Sequence, residues 1–334
     1  MDIKRSIGEV FMNIDHAVVE QQTFGKIKYT EKKPIHIAFG VDANFIRPMG
    51  VAMTSLIDHN RNQSLIFHVF ANSIEPVDQE RLQTLADTED VLIHLYKINQ
   101  DIFKSLQTTW NYTVATYNRF IVAQLLYPEI DTVLYMDADM VCNNNLGELT
   151  EMDFEGNIVM VVHDQGKFVA NHLKTLNLKH DRYFNAGMLY IDLKAWNENQ
   201  ISEQAIALLQ QRKFFLLDQD ALNILLDGRA KFIDRKFNEI CNMEKKYSKI
   251  SDEAILVHFA SRNKPWHVWC IHPERELFTR YAKSSLWKDV PFSDQPRSYK
   301  EMKMMGAAML HYGDYRAAWK WYWKYWKARK IEKK

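Results

Sequence analysis

Two carboxylates separated by one alanine, Asp137 and Asp139, close the apolar run of DTVLYMDADMVCNN at residues 131–144. On an extended chain, side chains at i and i+2 leave on the same side, so both acids face one small volume. Like charges held that close repel unless a positive charge lies between them. A hard divalent cation such as Mn²⁺ or Mg²⁺ takes oxygen ligands and keeps positions open for phosphate oxygens. Two acids at a strand end therefore suit a metal–diphosphate complex, in which the metal acts as a Lewis acid on a leaving group. A solvated turn after the strand is the alternative that the pair alone leaves open.

Other segments offer partners for such chemistry. GVDANF holds Asp42 and Asn44 with neither a G-x-G-x-x-G nor a P-loop pattern, which disfavours dinucleotide oxidoreductases and P-loop enzymes. These two residues can hydrogen-bond a base or ribose, or can simply form a turn. FNAG, with Asn185, Ala186 and Gly187, is either a turn between strands or a place where small residues let a sugar approach the backbone. LDQDALN supplies Asp218, Gln219 and Asp220, which can equally cap a following helix. His258, in the apolar start of VHFASRNKPWH, by itself fits a satisfied core histidine. Lys264, six residues on, is a point charge able to reach a diphosphate.

These residues need a scaffold that gathers them. Apolar runs IHIAFGVD, LIFHVFANS and VLIHLYKI alternate with the helical spacings of GVAMTSLIDHN and VDQERLQTLADTED, a pattern of strands joined by crossover helices. YNRFIVAQLLY, at residues 117–127, is an amphipathic helix stopped by Pro128, and TVLYMDAD is a strand with the acid pair at its C-terminal end. In open α/β sheets that edge binds ligands. NIVMVVHD and YFNAGMLYIDL read as further strands, and a helix runs from about Ser202 to Arg212. Residues 1–33 read as a polar, partly helical lead-in, residues 34–270 as the catalytic domain and residues 271–334 as a helical region rich in Tyr, Trp and Lys.

Composition narrows the class. A chain of 334 residues, 47% hydrophobic and 25% charged, is an ordinary globular protein, and its net charge of +1 gives no reason to expect a nucleic acid partner. Cys142, Cys241 and Cys270 are odd in number and widely spaced, so they read as reduced thiols rather than a disulfide framework or zinc knuckle. Acids interrupt the N-terminal segment and no run reaches the length of a membrane span, which leads to an expectation of a cytoplasmic protein.

Taken in order, HIAFGVDANF, YNRFIVAQLLY leading into VLYMDADMV, YFNAGMLYIDLKAW, LDQDALN and VHFASRNKPWH resemble glycosyltransferase family 8, in particular the bacterial enzymes that add glucose or galactose to the lipopolysaccharide outer core. The resemblance spans roughly residues 35–290. It implies an α/β fold, a single Rossmann-like nucleotide-sugar-binding domain of GT-A type with a mixed central sheet, plus a small helical C-terminal region. It also implies a UDP-galactose or UDP-glucose donor, a lipopolysaccharide core acceptor, Mn²⁺ with Mg²⁺ as the substitute, and retention of the α configuration. By position, Val41, Asp42 and Asn44 fall where the family holds uridine and ribose, and Phe45 where it stacks an aromatic on uracil. Arg119 contacts the donor, and Asp137, Asp139 and His258 form the metal set. Asn185, Ala186 and Gly187 lie at the donor sugar, with Asp218 and Gln219 at its hydroxyls and reacting carbon. Lys264 assists the diphosphate. Ser261 stands where relatives usually carry Gly, so its hydroxyl takes the place of a backbone contact.

Because a neutral amide lacks the charge of a carboxylate nucleophile, Gln219 points to front-face attack by the acceptor rather than a covalent intermediate. A non-catalytic sugar- or nucleotide-binding regulator, and a self-glucosylating polymer starter, are the competing readings. The tail YRAAWKWYWKYWKARKIEKK, residues 315–334, favours an enzyme on the inner face of the inner membrane. At helical spacing, Trp319, Tyr322, Trp323 and Trp326 share one face and Lys320, Lys324 and Lys327 cluster on another, which suits an anionic membrane surface. Packing of that helix on the rest of the protein is the alternative.

Overall fold

The computed structural model describes residues 17–27, 33–108, 113–165, 169–245, 247–291 and 295–332. The expected helical lead-in at residues 1–16 and the last two residues of the basic tail lie outside these. In chain order the elements are β1 (Val18–Phe24), β2 (Ile35–Val41), α1 (Ile46–His59), β3 (Leu65–Ala71), α2 (Pro76–Glu89), β4 (Leu92–Ile98), α3 (Asn118–Leu126), β5 (Thr132–Met136) and β6 (Met140–Cys142). There follow α4 (Gly147–Glu151), β7 (Val159–His163), α5 (Val169–Leu176), β8 (Phe184–Asp192), α6 (Leu193–Glu198), α7 (Ile201–Gln211) and α8 (Leu217–Leu225). The chain ends with β9 (Ala230–Phe232), β10 (Glu239–Ile240), β11 (Leu256–His258), α9 (Arg275–Ser284), α10 (Tyr299–His311) and α11 (Tyr315–Glu332).

An eight-stranded mixed sheet runs in the order β1-β4-β3-β2-β5-β8-β7-β9. Strands β4, β3, β2 and β5 are mutually parallel. Every residue of β3 (LIFHVFA) is buried, as a strand covered on both faces requires. β8 then runs antiparallel between β5 and β7, so the expected mixed sheet is present. A smaller sheet, β10-β11-β6, continues from the end of β5.

Two local expectations need correction. Residues 18–24, read as part of a polar, partly helical lead-in, are a strand: VVEQQTF pairs antiparallel with β4, and most of its polar side chains are exposed on the sheet edge. Asp137 and Asp139 do not sit on the strand itself, because β5 ends at Met136 and the pair occupies the turn into β6.

The core on one sheet face is built from Tyr117, Phe120, Phe184 and Trp196, all almost wholly buried, under α3, α6, α7 and α8. Trp196 satisfies its indole N–H on Ser202 Oγ at 2.9 Å, and that hydroxyl donates to Phe120 O at 2.8 Å, tying α6, α7 and α3 together. The chain groups into two compact units, residues 1–240 with 251–258 and residues 241–250 with 259–334. In the second, α10 starts with a capping box of Ser298 and Glu301. It packs on α11, where a side chain at Gly306 would come within 3.0 Å of the Tyr322 ring and Tyr299 stacks on Tyr325. No described helix is long and apolar enough to cross a membrane.

At the end of the sheet opposite the acid pair, His36, His68 and His94 stack across β2, β3 and β4, with ring centroids 5.3 and 5.2 Å apart. His36 Nδ1 is 3.0 Å from His68 Nε2. Burial, reinforced by His94, pushes the His36 pKa from 6.5 down to about 4, with Asp131 opposing weakly. Burial likewise holds His68 well below its ordinary value and lowers His94. The unfolded chain therefore takes up these protons near pH 6.5 while the folded chain resists until lower pH, so stability is full above that range and falls as pH drops from about 6.5 toward about 4. Melting temperature is expected to fall steadily between pH 7 and pH 5, and less steeply in His36→Gln; equal slopes in both proteins would refute the assignment.

Candidate active site

The turn after β5 is gripped from both sides. Asp137 N–H donates to Gly187 O at 2.8 Å, extending the β5–β8 pairing by one step and setting FNAG beside the acid pair. β6, immediately after the turn, pairs antiparallel with β11 so that His258 lies opposite Met140. One ligand atom from each of Asp137, Asp139 and His258 then falls within 4.8 Å of the others. His258 Nε2 is 3.2 Å from Asp139 Oδ1, and both side chains are buried. His258 Nδ1 faces Asn238 Oδ1 at 3.1 Å, which places a ring N–H on Nδ1 and makes Nε2, on the side of the carboxylates, the atom available to a metal. Two carboxylates and one imidazole nitrogen are a donor set that fits a divalent cation.

Gly187 is there for space. A Cβ on it would lie 2.3 Å from His258 Cε1 and 2.9 Å from Asp137 Oδ2, so only glycine fits between two of the candidate ligands. Its amide donates to Asn185 Oδ1 at 3.0 Å. Gln219, from the first turn of α8, accepts from Ala186 N–H at 3.0 Å and from Asn185 Nδ2 at 3.3 Å. Its Nε2 donates to Asp164 Oδ2 at 3.0 Å and to Tyr183 Oη at 3.2 Å. The side chains of LDQDALN thus do more than cap a helix. Asp220 does reach back to the start of the helix, accepting from Leu216 N–H at 2.9 Å.

Arg119, on α3, is the buried cation of the site. It meets Asp218 at 3.1 Å through Nε and Asp137 at 3.1 Å through one terminal nitrogen, donates to Ala186 O with the other, and lies over the Tyr135 ring at 4.7 Å. Burial opposes its charge, but Asp218, Tyr135 and Asp137 more than compensate and raise its pKa. Burial pushes the Asp218 carboxyl upward, while Arg119 and the Thr116 hydroxyl at 2.9 Å pull it back.

At the end of β2, Val41 is buried, and Asp42 accepts from Asn44 N–H at 2.9 Å and from the Thr113 hydroxyl at 2.9 Å. Asn44 is exposed and Phe45, half-buried, opens α1. Ser261 and Lys264 belong to the second unit. There the Ser261 hydroxyl donates to Asn263 O at 2.8 Å and accepts from Met243 N–H at 3.1 Å, so it ties two loops together. Lys264 Nζ donates to Phe259 O at 2.8 Å. Within the first unit the structure brings Arg119, Asp137, Asp139, Asn185, Ala186, Gly187, Asp218, Gln219 and His258 into one bonded network. Asp164, Tyr183 and Asn238, which sequence reasoning passed over, belong to it too. Asp164 ends NIVMVVHD at a strand terminus, as the acid pair ends its own run, and that position was the available signal.

A mixed sheet with a metal-capable acid pair in the turn after a central parallel strand, facing a glycine-containing strand edge, is the architecture of the GT-A fold. The solved structure of the galactosyltransferase LgtC in complex with donor and acceptor sugar analogues superposes with a TM-score of 0.66 at 21% identity, covering 80% of this chain and 99% of that one. The family model for glycosyl transferase family 8 matches residues 36–270, and the chain belongs to that family. It is 32% identical over 329 residues to the lipopolysaccharide 1,3-galactosyltransferase of Salmonella typhimurium, covering 94% of this chain and 97% of that protein. It is 31% identical over 281 residues to the lipopolysaccharide 1,2-glucosyltransferase of Escherichia coli K12, covering 80% and 82%.

Adding one methyl at Gly187 tests the packing of this edge. Gly187→Ala is expected to displace His258 or Asp137 and lower sugar transfer by about 100-fold, the scale of a 1 Å misplacement at a reacting centre. Its melting temperature should fall as well, since overpacking a buried position costs about 1–3 kcal/mol. A well-folded variant with parental turnover would show that the close approach is dispensable.

Proposed function

We propose that this glycosyltransferase moves galactose or glucose from UDP to a hydroxyl of a lipopolysaccharide outer-core oligosaccharide, with retention of the α configuration and with Mn²⁺, or Mg²⁺ in its place, held by Asp137, Asp139 and His258. The observation that carries the reading is the meeting of this ligand set with Gly187, Asn185 and Gln219 at one sheet edge. The substrate class draws on the Salmonella and Escherichia coli relatives, whose similarity runs over most of the chain.

A divalent cation bound there would neutralise charge on the departing diphosphate. Arg119 holds Asp137 and Asp218 in place, and the family resemblance assigns Asp218 to the sugar hydroxyls. Gln219 orients the reacting groups and is not attacked, so the acceptor enters on the face the diphosphate leaves, with the leaving phosphate taking its proton. Val41, Asp42, Asn44 and Phe45 take the uridine, Asn185, Ala186 and Gly187 the sugar, and Ser261 and Lys264 the diphosphate. These roles follow the family resemblance. Incubation with UDP-galactose and UDP-glucose in turn, with Mn²⁺ and core oligosaccharide, followed by measurement of released UDP and of product configuration, tests the whole reading. Asp139→Ala is expected to abolish transfer almost completely and Asp137→Ala nearly so, in folded protein. Near-normal turnover of either at saturating donor would refute the metal assignment.

The acceptor is lipid-linked on this reading, and α11 is suited to the membrane surface. Tyr315, Trp319, Trp323 and Trp326 are 73, 70, 49 and 54% exposed, while Ala318 and Tyr325 are buried and Tyr322, expected beside the tryptophans, turns toward α10. Lys324 and Lys327 lie over Trp321 and Trp323 at 4.1 and 3.5 Å. Trp favours the headgroup region, and each basic residue adds about 1 kcal/mol near an anionic leaflet. We therefore place the enzyme at the inner face of the inner membrane. Joint replacement of Trp319, Trp323 and Trp326 by Ser is expected to release the protein from anionic vesicles while turnover of a soluble acceptor persists. Unchanged cosedimentation at low and high salt would rule out this surface.

A further inference from the structure

Asn238 is wholly buried and precedes β10, whose parallel pairing places Ile240 beside His258. Its amide is oriented by a backbone group that cannot flip. Gly187 N–H donates to Asn185 Oδ1 at 3.0 Å, which makes that atom the carbonyl oxygen. Asn238 must then offer its Nδ2 to the same oxygen, at 3.0 Å, and its own Oδ1 is turned to His258 Nδ1 at 3.1 Å. In the other direction, Ala186 N–H fixes Gln219 Oε1 in the same way, and Asn185 Nδ2 reaches it at 3.3 Å. One side chain therefore connects the candidate metal ligand His258 to the residues proposed for the donor sugar.

We propose that Asn238 is a positioning residue that sets the His258 tautomer with one end of its amide and the Asn185 side chain with the other, so that one buried amide orients both the cation site and the donor-sugar site. The inference rests on the proposed function. A merely structural amide, present to fill a buried polar site, would affect folding without separating these two ends.

The two ends of the amide can be separated by substitution. Asn238→Asp keeps an acceptor for His258 Nδ1–H but has no donor for Asn185, whereas Asn238→Ala loses both. Mn²⁺ affinity is measured by electron paramagnetic resonance on the protein alone, and affinities for UDP, UDP-galactose and UDP-glucose by calorimetry with and without Mn²⁺. Asn238→Ala is expected to weaken Mn²⁺ by about 10- to 100-fold, the usual effect of removing the partner of a ligating histidine. Asn238→Asp should bind Mn²⁺ about as well as the parent, yet lose the parent's preference for a UDP-sugar over UDP. Parental Mn²⁺ affinity in folded Asn238→Ala, or loss of Mn²⁺ affinity in folded Asn238→Asp, would overturn the proposal. Retention of the parent's sugar preference in Asn238→Asp would overturn it equally. Should Asn238→Ala fail to fold, the comparison of Asn238→Asp with the parent still decides. A parent protein that binds no Mn²⁺ at all would instead refute the proposed function, and this inference with it.

Discussion

The hydrogen bond from Asp137 N–H to Gly187 O is the joint on which the site depends. It exists because β8 enters the sheet against the direction of β5, so that the beginning of one strand meets the end of the other. A parallel neighbour would have carried FNAG to the far edge. With the joint made, a glycine is needed where His258 and Asp137 close over the strand, and Ala186 O is left pointing at Arg119. The short β6–β11 pairing, only three residues long, is enough to bring His258 from more than a hundred residues away because the turn before it is already held.

Charge explains why Arg119 is buried. Asp137 and Asp218 both face it at 3.1 Å; Asp137 is part-exposed, but the pair with Asp218 is buried on both sides, and withdrawing one partner from such a pair typically costs about 3–5 kcal/mol by leaving the other charge uncompensated. One guanidinium thus balances two carboxylates only in part. Asp139 lies 3.2 Å from His258 Nε2, and with three carboxylates around one guanidinium the cluster carries excess negative charge, which a divalent cation is suited to relieve. The two acids have different neighbours: Asp137 leans on Arg119, and Asp139 faces the imidazole.

Much of this scaffold is legible in the sequence. The apolar runs that become β2, β3, β4, β5, β7 and β8 are bounded by turn residues, and Pro128 stops the α3 pattern where expected. The edge strand β1 is not legible in that way, because VVEQQTF buries one end only and lacks the apolar run that marks central strands. The position of the acid pair in a turn, rather than on the strand, is set by β6 leaving for a second sheet, a long-range pairing that no local spacing encodes. Motif reading found the groups at strand and helix ends. It passed over Asn238, Asp164 and Tyr183, whose importance comes from what they touch across the fold.

Gln219 illustrates what the contacts add to residue type. Both lone-pair directions of its Oε1 are taken by Ala186 N–H and Asn185, and both Nε2 protons are spent on Asp164 and Tyr183. Attack on a sugar carbon by this amide oxygen would have to break a bond to the backbone that also fixes FNAG. Burial and the neighbouring Asp220 push the Tyr183 hydroxyl further above its ordinary pKa, so it stays protonated and donates to Asp220 at 2.5 Å while accepting from Gln219. The whole arrangement is oriented by two backbone N–H groups, those of Ala186 and Gly187, and such fixed dipoles need little reorganisation when charge develops nearby. That is the physical reason to assign Gln219 to orientation, and to leave the proposed transfer to the acceptor hydroxyl and the departing phosphate.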